Sequence, residues 1–296
     1  MKGVKELKAR LKSIGNIRKI TSTMELVATA KLRRLQERAV ASRPYADAIR
    51  QMISQVAAVA PEKASPLLAV PDEVERECVV VIAADRGLCG AFNANIFRKA
   101  HGYIREREAE GVKVEVYTFG RRAARFFDRV RAEVLGNCED PVEKIGYRRV
   151  AGIMASLIDD YLEGRLQKVT VIYTRFESVV TFKPTIEGLL PFEADPEEAG
   201  DAEVARTQAE SDYIMEPSAE DILSKLLPKS LEMRLFAGIL ESLASEFAAR
   251  RMAMKNATDA ADDMSEELTM EYNKARQAGI TGDLLDIVAG AEAQAG

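Results

Sequence analysis

The stretch LESLASEFAARRMAMKNATDAADDMSEEL, residues 240–268, decides the fold. Its apolar and small residues are Leu240, Leu243, Phe247, Met254, Ala257, Ala261, Met264 and Leu268, at alternating steps of three and four, with only Arg250 interrupting. A 3.5-residue repeat is the mark of a coiled coil, because it keeps one seam turned toward a partner helix. Extended in both directions, the pattern predicts one helix from about Asp221 to Ala293, roughly 100 Å long at 1.5 Å per residue. Such a helix cannot bury its seam alone, so another part of the chain must cover it.

The other terminus offers that cover. Val4, Leu7, Leu11 and Ile14 carry the same spacing, and Ile17, Ile20, Met24 and Val27 resume it after a shortened step. A three-residue step in place of four is a stammer, which overwinds a supercoil locally. The spacing returns at Tyr45, Ile49, Met52, Val56 and Val59, with a bend or break expected near Pro44. Two terminal helices joined through a middle domain would run antiparallel. The plainer alternative, a helical bundle core within one compact domain, fits the periodicity but not the length.

Between the helices the pattern changes. Pro61, Pro66 and Pro71 mark a linker. Cys78–Ala84 is an unbroken apolar run, the signature of a strand covered on both faces. Gly87 and Gly90 make a turn into a helix from Asn93 to about Arg107. A strand over Val112–Phe119, helices over Arg121–Phe127 and Val142–Leu162, and a strand over Lys168–Thr174 continue the alternation. Val179–Leu190 reads as an edge strand, since Pro184 cannot donate to a ladder. Alternating strands and helices predict a mostly parallel, Rossmann-like α/β domain. Ser218 followed by Asp221 marks a helix start, and Pro228 a kink or a later start. The expected division is a helix over 1–60, an α/β domain over 75–216 and a helix over 219–293.

Composition narrows the function. The 296 residues are 47% hydrophobic and 30% charged, with a net charge of −5 that hides a segregation. Residues 1–60 hold thirteen Lys and Arg against four acids, whereas residues 191–221 hold eleven acids against Arg206. A basic stretch of this density calls for an acidic protein surface or polyanion as neighbour. Nucleic acid fits poorly, because the basic residues interleave with a buried seam and no aromatics accompany them. Cys78, Cys89 and Cys138 form no CxxC pair, which favours a reducing compartment. No apolar run approaches a membrane span, and nothing at the N-terminus reads as a removable leader.

Chemistry is sparse. His101 is the only histidine, so neither a histidine metal cluster nor a Ser-His-Asp set can be assembled around a second one. The run ADRGLCG, residues 84–90, follows the first strand, where α/β proteins often bind ligands, but it lacks the order of either phosphate-binding glycine motif. No catalytic residue, cofactor or metal is expected. A free-standing coiled-coil scaffold and a small-molecule enzyme with helical arms remain as competing readings at this point.

The residues at both ends carry a family resemblance. IGNIRKITSTMELVA (14–28), LASEFAAR (243–250), AMKNATD (253–259), YNKARQAGIT (272–281), DIVAGA (286–291) and the central ADRGLCG together closely resemble the gamma subunit of F-type ATP synthases. The likeness covers essentially the whole chain. Asp283 stands where that family usually has Glu, Phe247 where a polar residue is common, and Gly279 adds a flexible point. The dithiol insertion of the redox-regulated chloroplast form is absent, and a bacterial source is expected.

The resemblance implies a non-catalytic rotor. Its two terminal helices would form an asymmetric shaft inside a ring of three alpha and three beta subunits. Its α/β domain would touch the epsilon subunit and the membrane c-ring, at the cytoplasmic face of the bacterial inner membrane. It also implies partner-binding roles for four residues: Arg276 and Gln277 on a loop of one beta subunit, Thr281 one turn on, and Met24 on the N-terminal helix facing that region. The apolar end from Leu284 to Ala293 would turn within an apolar sleeve.

Overall fold

The computed structural model describes residues 2–59, 65–192, 216 and 218–295. The expected acidic loop Glu193–Asp212 and the linker around Pro61 lie outside the described residues. Two helices dominate: α1 (Lys2–Val59) and, at the other end, α5 (Ala219–Ala295). Between them run β1 (Arg76–Ile82), α2 (Phe92–Ala109), β2 (Lys113–Phe119), α3 (Arg121–Arg129), β3 (Val134–Cys138), α4 (Tyr147–Leu162), β4 (Lys168–Phe176) and β5 (Phe182–Leu190). The chain divides into two compact units, Lys31–Ala249 and the pair of segments Met1–Ala30 and Arg250–Gly296.

In the larger unit the five strands form one sheet in the order β3-β2-β1-β4-β5. β1 pairs in parallel with β2 and β4, β2 in parallel with β3, and β5 closes the edge antiparallel to β4. β1 is fully buried from Glu77 to Ile82, as its apolar run predicts for a central strand. Pro184 does sit on the edge strand, opposite Thr174. β3 is the strand that periodicity missed. Its five residues include Gly136 and Asn137 and alternate poorly, and it is held by pairing with β2 rather than by propensity.

α2 and α3 cover one face, burying Ile96, Ala100, Ile104, Ala123 and Phe127 against Val79, Val81, Val114, Val116 and Ile172. Side chains alternate along a strand, so Tyr173 points to the other face, where it meets Gly238 of α5. α4 joins α5 on that side. The Tyr147 hydroxyl donates to Glu232 at 2.6 Å, and its ring meets Phe236 edge-on.

Neither interior proline breaks its helix. α1 passes through Pro44, which is exposed, so water can solvate the carbonyl that loses its partner. α5 starts at Ala219 and passes through Pro228. Ser218 caps it: its Oγ accepts from the Asp221 N–H at 3.1 Å and donates to that residue's carboxylate at 2.8 Å. The first turns of α5 bury Leu223, Leu227, Leu231, Leu235 and Ile239 at steps of four. From Ser242 to Ala249 every residue is buried, so the helix here is enclosed on all sides rather than presenting a seam. Lys31 of α1 lies over the Phe247 ring at 5.2 Å, a cation–π contact that holds this aromatic in place.

One buried charge stands inside the sheet. The Glu77 carboxylate accepts from Tyr103 and Thr170 at 2.6 Å each and from Arg107 Nε at 2.8 Å. Burial, and then its hydrogen bond to Glu77, push the Tyr103 phenol up to about 12. The folded chain therefore holds this proton after the unfolded chain has released it near pH 10. The stability it contributes is complete below about pH 10 and is lost as pH rises through about 12. Tyr103→Phe should remove a component near pH 12 from the tyrosinate absorbance titration and flatten the fall of stability between about pH 10 and 12.

Candidate partner-binding surfaces

The smaller unit is a helical hairpin whose register is set by two contacts. The Thr258 hydroxyl donates to Thr21 Oγ1 at 2.7 Å, and Arg18 pairs with Asp262. Moving up α1 from 18 to 21 moves down α5 from 262 to 258, so the helices are antiparallel.

The observed seam differs from the expected one. Along α1 the covered positions Val4, Leu7, Leu11, Ile14, Thr21, Glu25 and Ala28 keep one spacing, with Arg18 completing it through its ion pair, while Gly15, Ser22 and Met24 are partly covered beside it. These steps alternate three and four without a stammer. Along α5 the series is Met254, Thr258, Ala261, Ser265, Leu268, Tyr272, Ala275, Gly279 and Gly282. Ile17, Ile20, Val27 and Met264, expected inside, are instead 49, 60, 49 and 55% exposed. An unbroken heptad keeps both helices evenly wound, and polar pairs fill the positions that apolar residues vacate. The signal was present in the sequence: counting three and four onward from Ile14 lands on Arg18, Thr21, Glu25 and Ala28.

This register places the four expected partner-binding residues. Arg276, Gln277 and Thr281 are exposed near the far end of α5, clustered within two turns. Met24 is half-buried beside the seam and stands roughly level with Lys255. Some twenty residues of rise separate it from Arg276, about 30 Å along the hairpin. Met24 therefore does not face that cluster, contrary to what the resemblance implies, and makes a separate surface. Extending the register also brings Lys2 roughly level with Gln277. Beyond that point α5 continues alone, with Ile280, Leu284, Leu285, Ile287 and Val288 all more than half exposed.

In the larger unit the ADRGLCG loop lies past the carboxyl end of β1, beside β4, at the point where the strand order reverses. Open α/β sheets take ligands at such a crevice. Here α5 fills it. Ala84, Cys89 and Phe92 close against Ala249, with Phe182 packed on them. The Ser245 hydroxyl donates to the Thr174 carbonyl at 3.1 Å, and the Phe176 N–H donates to Glu241 at 3.3 Å. Cys89 is buried within this packing, not offered as a nucleophile. Burial also holds the Cys78 thiol far above its ordinary value, so it stays protonated and inert.

The loop's acid has a structural task. Asp85 accepts from the Arg121 N–H at 3.1 Å and the Val142 N–H at 2.9 Å, capping α3 and anchoring the turn before α4. Asp85→Ala leaves two donors unmet and should cost about 2 kcal/mol in urea unfolding of the chain. Leu88 adopts a φ of 61°, and Gly90 one of 57°, which turn the chain sharply into α2. Among the described residues no group of His, Cys, Asp and Glu is placed to hold a metal ion, and no helix is long and apolar enough to cross a membrane.

Against known proteins, a family described as ATP synthase matches residues 3–294. The ATP synthase gamma chain of Maridesulfovibrio salexigens is 39% identical over 296 residues, covering all of both chains. That of Xanthomonas axonopodis pv. citri is 37% identical over 293 residues, covering 99% of this chain and 100% of the relative.

The chain belongs to the ATP synthase gamma-chain family.

Solved structures agree on the fold. A chain of the Euglena gracilis mitochondrial ATP synthase (OSCP/F1/c-ring, rotational state 3) matches with a TM-score of 0.67 at 18% identity, over 99% of this chain and 94% of that one. A chain of the Tetrahymena thermophila mitochondrial ATP synthase central stalk and c-ring matches with a TM-score of 0.56 at 20% identity, over 80% and 99%. That fold likeness spans the combination seen here, two long terminal helices and an α/β domain between them.

Proposed function

We propose that this gamma chain is the non-catalytic rotor of an F-type ATP synthase, coupling proton-driven rotation of a membrane ring to ATP synthesis and hydrolysis at beta-subunit sites. The observation that carries the reading is the long antiparallel hairpin whose α5 end continues past α1 with its apolar side chains exposed. An end of this kind has to be covered by other chains, and alpha and beta subunits, three of each, would supply the cover. One asymmetric shaft facing three identical beta sites biases each toward a different conformation without touching nucleotide. The helices over 1–60 and 219–293 form the shaft in this reading. The domain over 75–216 forms the foot, meeting the epsilon subunit and the c-ring at the cytoplasmic face of the bacterial inner membrane. The crevice filled by Ser245 and Ala249 supports a non-catalytic role.

The deciding experiment is purification of the tagged chain from its own cells. Alpha and beta at three copies each per tagged chain, with ATPase activity, are expected. Recovery as a lone chain or a homodimer without ATPase would return the scaffold reading to first place.

Arg276, Gln277 and Thr281 act in this scheme as one polar contact with a beta-subunit loop, where a guanidinium holds a carboxylate at two points. Met24 forms a second contact about 30 Å away. Met24→Lys puts a charge at that contact and should uncouple proton transport from ATP synthesis while ATPase activity persists. Full coupling in Met24→Lys membranes would remove Met24 from the contact set.

A further inference from the structure

The hairpin contains two competing seams over the same eleven residues, and only one of them is closed. The closed seam sets Arg18, Thr21, Glu25 and Ala28 against Met254, Thr258, Ala261 and Ser265, about half of them polar. One residue earlier on each helix lies a second series. On α1 it is Ile17, Ile20, Met24 and Val27; on α5 it is Ala253, Ala257, Ala260 and Met264, apolar throughout. Both series keep the three-four spacing, and the registers of Thr21 with Thr258 and of Arg18 with Asp262 set Ile20 nearly level with Ala260 and Val27 nearly level with Ala253.

They also lie on the same side of the hairpin. A step of one residue back turns a side chain about 100° around its helix. Because the helices are antiparallel, that step turns the two faces in opposite senses seen along the pair, and both end up facing the same way. Ile17, Ile20, Val27 and Met264 are about half exposed or more and Met24, Ala253 and Ala257 are partly covered, while Thr21, Ala28, Met254 and Ala261 of the polar seam are buried.

We propose that this segment is a two-state torsional element: the helices counter-rotate like meshed gears, exchanging the polar seam for the apolar one. The closed state is held by the Thr21–Thr258 hydrogen bond, the Arg18–Asp262 pair and a heptad that runs evenly into Ile14 and Ala28. The apolar state buries more hydrocarbon and requires a three-residue step from Ile14 to Ile17, which overwinds the coil. Overwinding torque therefore favours the apolar seam, and relaxation restores the polar one. The exchange is bounded by Ser13 and Lys31 on α1 and by Glu267 on α5, which continue the second series as polar residues. Its use as a torsional store in a turning shaft rests on the rotor reading; the exchange itself does not.

The test uses the full chain with paired cysteines under glutathione redox buffer. A Thr21→Cys/Thr258→Cys chain reports the closed seam and confirms the hairpin. An Ile20→Cys/Ala260→Cys chain reports the second one. A third chain adds Thr21→Leu and Thr258→Leu to the second pair, making the closed seam apolar and locking it. The 20–260 disulfide is expected to form, and its yield to fall by about tenfold or more in the locked chain. No 20–260 disulfide, or an equal yield in both backgrounds, overturns the proposal. Because the isolated chain suffices, failure here leaves the subunit purification result untouched.

Discussion

Gly120→Ala is expected to be the most damaging conservative change in the chain. Gly120 ends β2 and opens α3 with a φ of 92°, a backbone region that side chains rarely enter. A methyl group there would run into the Ala83 carbonyl oxygen and come within 3.2 Å of Val142 Cγ2. Ala83 cannot retreat, because its N–H is bonded to the Phe119 carbonyl at 3.0 Å in the centre of the sheet. Backbone strain and the clash together should cost about 4 kcal/mol or more, enough to unfold most of a marginally stable domain. Circular dichroism during urea unfolding would read the loss. Gly146→Ala is the matched control. It also precedes a helix, but has negative φ and open space around the position, so it should stay within about 0.5 kcal/mol of the parent. Equal stability of the two variants would refute the account of the β2–α3 corner.

Arg107→Met should be the second largest. Arg107 supplies the counter-charge to Glu77, whose carboxylate is completely buried. Breaking a buried pair from one side leaves a charge without compensation, and the general cost is 3–5 kcal/mol. Tyr103 and Thr170 still donate to Glu77, so the lower end, about 3 kcal/mol, is expected in urea unfolding. Removing both charges tests the mechanism rather than the residue. Glu77→Leu with Arg107→Met should be less destabilised than Arg107→Met alone, because no buried charge is left. Additive losses in the double variant would mean that the two side chains contribute by packing and not as a pair.

These two sites differ in how far they could be read in advance. Gly120 follows the apolar end of a readable strand, but nothing local shows that its Cβ would meet Ala83. That contact depends on β1 and β2 lying side by side. The Glu77 site is similar. Glu77, the last of four acids before the apolar run of β1, looks like part of a solvated strand end until α2 brings Tyr103 and Arg107 over it. Of the proposed partner-binding residues, Arg276, Gln277 and Thr281 were singled out by their motif, and all three are exposed. The distance from Met24 was not legible, because it depends on the register between helices more than two hundred residues apart in sequence.

What the sequence by itself determined about this chain is the set of features that repeat locally. The three-four spacing specified two long helices, the unbroken apolar run at Cys78 specified a central strand, Ser218 specified a helix start, and Pro184 specified a sheet edge. Each is a matter of backbone geometry and side-chain period, complete within a few turns or one strand. Only the tertiary structure decided which of two overlapping seams closes in the hairpin, that β3 pairs at all, and that α5 is enclosed from Ser242 to Ala249. The physical reason is common to all three. Periodicity ranks faces by their apolar content, but a face is buried only if its partner arrives in register, and register is chosen by contacts summed along the whole interface. In the hairpin that sum favoured an evenly wound heptad with Thr21 against Thr258 over a more apolar seam that must be overwound.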